Sequence, residues 1–92
     1  MKLIDFVNNI DSVAEDSIIF QEDRDKFDSD IILSFAEEGD RGIKEEGGKK
    51  YHYLIECFLA KEFIGDWIAS LDYTPTSKEI AKRLYYYAIN DA

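Results

Sequence analysis

The spacing of apolar residues changes abruptly near residue 57. In YHYLIE (51–56) apolar residues alternate, with Tyr51, Tyr53 and Ile55 on one face, which is typical of a β-strand. In CFLAKEFIGDWIASL (57–71) they recur every three or four positions, which predicts a helix that faces a core. The apolar positions of this helix are Ala60, Phe63, Ile64, Trp67, Ile68 and Leu71. A strand that continues into such a helix favours a fold in which a sheet and helices share one core.

Three more elements are predicted upstream. A short amphipathic helix follows from apolar residues at i, i+3, i+4 and i+7, namely Leu3, Phe6, Val7 and Ile10. Two apolar runs, SIIFQE (17–22) and DIILSFAEE (30–38), predict strands, and their polar connection favours a hairpin. Because apolar residues of the second run occupy both parities, this strand is predicted to be well covered on one face and partly covered on the other.

The remaining segments predict a loop and a last helix. EEGDRGIKEEGGKK (37–50) contains four glycines and charges of both signs, which predicts a mobile loop. Thr76 and Glu79 match the T-x-x-E capping box, in which each side chain accepts a hydrogen bond from a free backbone N–H of the first turn. A last helix is therefore predicted from this box nearly to the C-terminus.

The predicted order is α-β-β-β-α-α, which indicates an α+β fold with a small three-stranded antiparallel sheet packed against about three helices. A chain of 92 residues suits one domain, residues 1–92, and buries about 60–65% of the surface that its unfolded form exposes. The residues predicted to be buried and structural include Trp67, Phe63, Leu33 and Phe35.

The negative charge is confined to the first half of the chain. Residues 1–46 contain 14 acidic and 5 basic residues, whereas residues 47–92 contain 6 of each, so the net charge of −9 lies in the first half. An acidic field repels nucleic acid and anionic membranes, and it attracts basic proteins or cations. Nucleic-acid binding is not expected, because phosphate contacts need clustered Lys and Arg.

The charge is densest in QEDRDKFDSD (21–30), which has five acidic and two basic residues. An EF-hand calcium loop that starts at Asp23 would need a metal ligand where Phe27 stands and a glycine where Asp28 stands. The two basic residues would also oppose a cation, so no metal is expected. Two interpretations stay open: a solvated loop, or part of a docking surface for a basic protein.

Neither a catalytic set nor a cofactor motif is evident. Gly42 and Gly47 have P-loop spacing, but no Lys-Ser/Thr pair follows at the required place. Cys57 lies in an apolar run and His52 lies between two tyrosines, where packing explains both. The sequence therefore predicts neither an enzyme nor a bound cofactor.

Three consecutive tyrosines on the last helix cannot all be buried. The core side of this helix is defined by Ile80, Ala81, Leu84 and Ala88. At helical spacing Tyr85 and Tyr87 lie at its borders and Tyr86 points nearly the opposite way. Tyrosine is a preferred hot-spot residue of protein interfaces, so Tyr86 is predicted to contact a partner.

The N-terminal residues and the number of cysteines indicate in which cellular compartment the protein is expected. One cysteine excludes an internal disulfide, and MKLIDFVNNIDS has an early Asp and no small-residue cleavage site, so no signal peptide is expected. The most apolar window, YLIECFLA (53–60), is far shorter than the ~20 residues of a membrane span. A cytoplasmic protein without membrane contact is predicted.

The length of the chain, its acidity and its lack of a catalytic set resemble the small immunity proteins of bacterial toxin systems, including those of contact-dependent growth inhibition. YHYLIECFLAKEFIGDW (51–67), a strand that runs into an aromatic helix, also resembles small bacterial proteins associated with such loci. The resemblance implies a cytoplasmic inhibitor that binds a cognate toxin domain, often a basic nuclease, and blocks its active site or an essential contact. It assigns no role to individual residues.

Electrostatics supplies a mechanism for this function. Nuclease active sites are electropositive because they hold phosphate, so a carboxylate array can occupy the same field and accelerate association. The predicted partner-binding residues are Glu22, Asp23, Asp25, Asp28, Asp30, Glu37, Glu38 and Tyr86. The alternative is an acidic adaptor or assembly subunit without a toxin partner, and a second rival is an enzyme accessory or metal-dependent hydrolase.

Overall fold

The computed structural model describes residues 1–35 and 42–90. The elements in chain order are α1 (Leu3–Asn8), a 3-10 turn (Ile10–Ser12), β1 (Ile18–Gln21), β2 (Ile31–Ser34), β3 (Ile43–Glu46), β4 (Lys49–Glu56), α2 (Cys57–Ala69) and α3 (Ser77–Asn90). The fold is α+β, as predicted. The predicted three strands are wrong in detail, because the sheet has four antiparallel strands in the order β2-β1-β4-β3.

The predicted hairpin of β1 and β2 is confirmed. The two strands pair antiparallel, with Ile19 opposite Leu33. The pairing of β1 with β4 shifts register between Ile19, which lies opposite Ile55, and Phe20, which lies opposite Tyr53. Leu54 is therefore the extra residue of a β-bulge, and both Leu54 and Ile55 are buried in the core.

The additional strand, β3, lies where the sequence predicted a mobile loop. It pairs with β4 through a two-residue turn, Gly47-Gly48, whose φ angles are 59° and 79°. Positive φ at both central residues is the signature of a type I′ turn, which matches the twist of paired strands and is open to glycine without steric cost. The predicted loop is wrong at residues 43–50, because Gly-Gly between two runs of similar length is also a hairpin signal.

The helices agree with the predictions more closely. α2 ends two residues before the predicted boundary at 71. The capping box is present, since the Thr76 N–H donates to Glu79 Oε1 and the Glu79 N–H donates to Thr76 Oγ1, each over 3.2 Å. α1 packs chiefly against α3. α2 and α3 contact each other and β4, so these two helices pack against the sheet.

Both the helices and the sheet contribute side chains to the core. Its largest fully buried side chains include Phe6, Phe20, Leu3, Ile19, Ile31 and Leu84. Three residues predicted to be buried, Trp67, Phe63 and Leu33, are partly buried and pack against this core. Phe35 was predicted wrongly, because it is 53% exposed. It follows the last residue of β2, an edge strand, where the sheet has a neighbour on one side only.

Candidate functional site

The acidic loop, residues 22–30, connects β1 to β2 and is closed at its base. The Glu22 N–H donates to the Asp30 carbonyl oxygen over 2.9 Å, which continues the strand ladder by one step. Gln21, fully buried at the end of β1, donates from Nε2 to the carbonyl oxygens of Lys26 and Phe27 over 3.1 and 3.3 Å. One buried amide therefore holds the middle of the loop against the sheet.

Short hydrogen bonds also fix the turn inside the loop. The Asp23 N–H donates to Ser29 Oγ over 3.1 Å, and the Ser29 hydroxyl donates back to the Asp23 carbonyl over 2.9 Å. The carboxylate of Asp23 accepts the Asp25 N–H over 2.9 Å, the pattern of an Asx turn. The loop thus carries internal hydrogen bonds that fix its backbone and the carboxylate of Asp23.

Tyr85 of α3 holds the loop from the opposite side. Its hydroxyl donates to the Arg24 carbonyl oxygen over 2.6 Å, and its ring meets the Phe27 ring edge-on with centroids 5.8 Å apart. Burial raises the pKa of the Tyr85 hydroxyl, and the nearby charges of Asp25 and Asp23 raise it further. The loop is therefore fastened to α3 by one aromatic contact and one hydrogen bond.

The carboxylates of the loop divide into two groups. Asp30 lies 3.1 Å from the Lys2 ammonium and 3.7 Å from the Lys49 ammonium, and Glu22 lies 3.8 Å from Lys49. The hydrogen bond and the positive charge of Lys2 lower the pKa of Asp30. Asp25 and Asp28 are exposed, and their side chains form no ion pair within the described part of the chain.

Tyr86 is connected to the acidic loop through Tyr85. It is 56% exposed, and its ring meets the Tyr85 ring edge-on at 5.6 Å, so Tyr85 touches both Tyr86 and the loop. Tyr87 instead stacks on Phe63, with ring centroids 4.0 Å apart. Of the three tyrosines, the one predicted to face outward does so, whereas Tyr85 is almost fully buried.

Five of the eight predicted partner-binding residues lie on the acidic loop, and a sixth, Tyr86, lies on α3 next to the tyrosine that contacts the loop. Glu37 and Glu38 lie outside the described residues. Sequence reasoning missed the three residues that hold the loop in place: Gln21, Phe27 and Tyr85. Phe27 could have been noticed in the sequence, because it is the only aromatic residue in QEDRDKFDSD (21–30).

A shallow cleft of about 330 Å³ opens next to the loop. It is lined by Arg24 of the loop and by residues of β4, α2 and α3, among them Ile55, Leu59, Tyr87 and Ile89. The cleft adjoins the charged loop, but its surface is about as polar as it is apolar, so it does not form an apolar interface centre.

Of the two residues considered for catalysis, His52 lies opposite Gln21 in the β1–β4 pair, whereas Cys57 lies at the other end of β4. Cys57 is fully buried, its sulfur lies 3.1 Å from the Ser17 hydroxyl, and burial raises the pKa of the thiol. A raised pKa disfavours the thiolate that nucleophilic chemistry requires. Among residues 1–35 and 42–90, no three His, Cys, Asp or Glu side chains are grouped so that they could hold a metal ion.

Comparisons of the chain with models of protein families, with curated proteins and with solved structures found no match. Across the described ranges, no helix has the length and apolar character needed to cross a membrane.

Proposed function

We propose that this protein binds a basic protein through the acidic loop and Tyr86, and that the partner is a toxin domain which it neutralises. The observation that carries the proposal is the fixed position of the loop. Gln21 holds it from the sheet and Tyr85 holds it from α3. A loop that serves only solubility does not require the contacts with Gln21 and Tyr85. A docking surface gains affinity from such contacts, because its groups are then ordered before binding.

The charge distribution supports the choice of partner. The carboxylates of Asp25 and Asp28 form no ion pair among the described residues, although the Lys2 ammonium donates to the Asp28 backbone carbonyl oxygen over 2.6 Å. A basic surface, such as the phosphate-holding site of a nuclease, would supply the missing counter-charge and be attracted over a distance of about one Debye length, ~8 Å at physiological salt. Tyr86 would add a large, partly apolar contact beside these charges.

The test is protection of growth. Where a neighbouring reading frame encodes a toxin domain, that domain is expressed in a sensitive bacterium with and without this chain. A loop variant with Asp23→Asn, Asp25→Asn and Asp28→Asn tests the surface. A control with Glu62→Gln, Asp66→Asn and Asp72→Asn removes the same charge from exposed positions outside the loop.

The expected result is protection by the wild type and by the control, and reduced protection by the loop variant. Equal protection by both variants would show that the loop is not the contact. Failure of the wild type to protect, or the lack of any neighbouring toxin gene, would argue against a toxin partner and favour the adaptor function. In that case the same loop variants are tested on binding to the cellular partner.

A further inference from the structure

A second groove lies at the other end of β1, away from the acidic loop. It has a volume of about 330 Å³ and is lined by Glu15, Asp16, Ser17, Ile18, Glu56 and Phe58. Small-ligand pockets span about 300–1,000 Å³, so this groove is at the small end of that range and suits a single side chain. It shares no residue with the acidic loop or with the cleft beside it.

The backbone around the groove is tied together. The Cys57 N–H donates to the Ser17 carbonyl oxygen over 2.9 Å, which joins the start of α2 to the start of β1. The buried Ser17 hydroxyl donates to the Ala14 carbonyl oxygen over 2.6 Å. Ile18 lies directly opposite Glu56 in the β1–β4 pair, so their side chains share one face of the sheet. The groove is therefore part of the folded framework.

Phe58 gives the groove an exposed aromatic wall. It stands in the first turn of α2 and is 45% exposed, although a large apolar side chain on a helix normally packs inward. Ile18 supplies further apolar surface on the sheet side. An aromatic ring that faces solvent inside a groove offers a stacking surface for a planar or cationic group.

The rim of the groove is negative. Glu15, Asp16 and Glu56 contribute three carboxylates, and none of them forms an ion pair among residues 1–35 and 42–90. The nearest basic residue along α2, Lys61, donates to the Val13 carbonyl oxygen over 2.7 Å. The α2 N-terminus adds a partial positive charge of roughly half an elementary unit, which the three carboxylates outweigh.

We propose that this groove binds an arginine side chain of a partner polypeptide, with the guanidinium over the Phe58 ring and its N–H groups donating to the surrounding carboxylates. Arginine fits better than lysine, because its planar group stacks on an aromatic ring and donates two parallel hydrogen bonds to one carboxylate. Ile18 packs against the aliphatic stem. That the arginine belongs to the same basic partner rests on the proposed function, whereas the groove's preference for arginine does not.

The test is an NMR titration of the ¹⁵N-labelled chain with n-butylguanidinium, which carries the stem and head group of arginine. The expected result is saturable shifts of the amides that line the groove. Shifts with n-butylammonium should saturate at several-fold higher concentration. Guanidinium chloride, which has the charge without the stem, and n-butanol, which has the stem without the charge, should each bind several-fold more weakly.

Two variants make the test specific. Phe58→Leu keeps apolar surface but removes the ring, and Glu56→Gln removes one carboxylate, so each should weaken n-butylguanidinium binding several-fold. Asp72→Asn, at an exposed position beyond the end of α2 and outside the groove, should leave it unchanged. Shifts spread over all acidic residues, or insensitive to Phe58→Leu, would overturn the proposal. That result would not contradict the proposed role of the acidic loop, because the amide signals of residues 22–30 are followed separately in the same spectra.

Discussion

The hydroxyl of Tyr85 donates a hydrogen bond of 2.6 Å to the backbone carbonyl of Arg24, 61 residues away in the sequence. This bond links α3 to the middle of the acidic loop, and the Phe27 ring packs against the same tyrosine. Tyr86 follows directly, and its ring touches that of Tyr85. Tyr85 therefore connects the acidic loop to the exposed ring of Tyr86. The geometry of the proposed docking surface therefore depends on Tyr85.

The first prediction concerns this bond. Tyr85→Phe keeps the ring contact with Phe27 and removes the hydrogen bond, so the free energy of unfolding should fall by about 0.5–1.5 kcal/mol. The amides of residues 24–27 should exchange with solvent faster, since the loop loses its tie to α3. Urea unfolding and hydrogen exchange measure the two effects. Unchanged exchange in the loop would mean that Gln21 alone holds it.

A pH dependence follows from the same residue. Burial first, and then the charges of Asp25 and Asp23, raise the pKa of Tyr85 above its ordinary value of 10.0. Above about pH 10 the unfolded chain loses this proton while the folded chain keeps it, so stability falls as pH rises through that range. The wild type should therefore keep its advantage over Tyr85→Phe below about pH 10 and lose it progressively as pH rises above that value. An advantage that stays constant over this range would contradict the assignment.

Alanine substitutions at one glycine of the type I′ turn and at one glycine of α2 should change stability in opposite directions. A Cβ at Gly47 would contact nothing within 4 Å, but its φ of 59° is strained for any L side chain. Gly47→Ala should destabilise the protein by about 1–2 kcal/mol. Gly65, inside α2, also has nothing within 4 Å, and Gly65→Ala should stabilise by about 0.5–1 kcal/mol. Thermal or urea unfolding compares the two variants, and stabilisation by Gly47→Ala would contradict the β3–β4 turn.

The burial of apolar side chains gives a graded series. Leu84 is fully buried, and Leu84→Ala should cost about 2–5 kcal/mol. Trp67 is only partly buried, so Trp67→Ala should cost less than the 3–5 kcal/mol typical of a fully buried tryptophan. Phe35 is 53% exposed, and Phe35→Ala should change stability by less than about 0.5 kcal/mol. A large loss from Phe35→Ala in urea unfolding would place that ring in the core after all.

Most of the fold could be predicted from the sequence, and the predictions that were wrong have physical causes. Periodicity located both long helices and β4, whereas β1 and β2 were located from short continuous apolar runs. It missed β3, whose residues Ile43 to Glu46 form an edge strand with only Lys44 partly covered, so no apolar alternation marks it. Phe35 was misplaced for a related reason: apolar character does not reveal which strand will lie at an edge.

The acidic loop shows a different limit. Its charges could be counted from the sequence, but its fixed shape depends on contacts between residues distant in the chain. Asp30 pairs with Lys2 and with Lys49, and Tyr85 reaches Arg24. Nothing in the local pattern distinguishes Glu22 and Asp30, which have internal cations, from Asp25 and Asp28. Only the pairing of β1 with both neighbours brings Lys49 to the base of the loop.

The last prediction separates the two parts of the proposed docking surface by their kinetics. Exposed rim charges act mainly on association, so Asp23→Asn, Asp25→Asn and Asp28→Asn together should slow binding to the toxin domain several-fold and flatten its salt dependence. Tyr86→Ala should leave the association rate nearly unchanged and raise the dissociation rate, because an aromatic contact is made only after docking. The fold should survive, since Tyr86 is 56% exposed.

Stopped-flow mixing from low to physiological salt measures both rates. The control with Glu62→Gln, Asp66→Asn and Asp72→Asn carries the same net charge as the loop variant, so it corrects for any effect of total charge. Because the long-range attraction depends on the whole acidic field, the control should slow association slightly, and the loop variant should slow it much more. Equal slowing by the two variants would mean that the acidic loop contributes only its share of the net charge and not a docking surface.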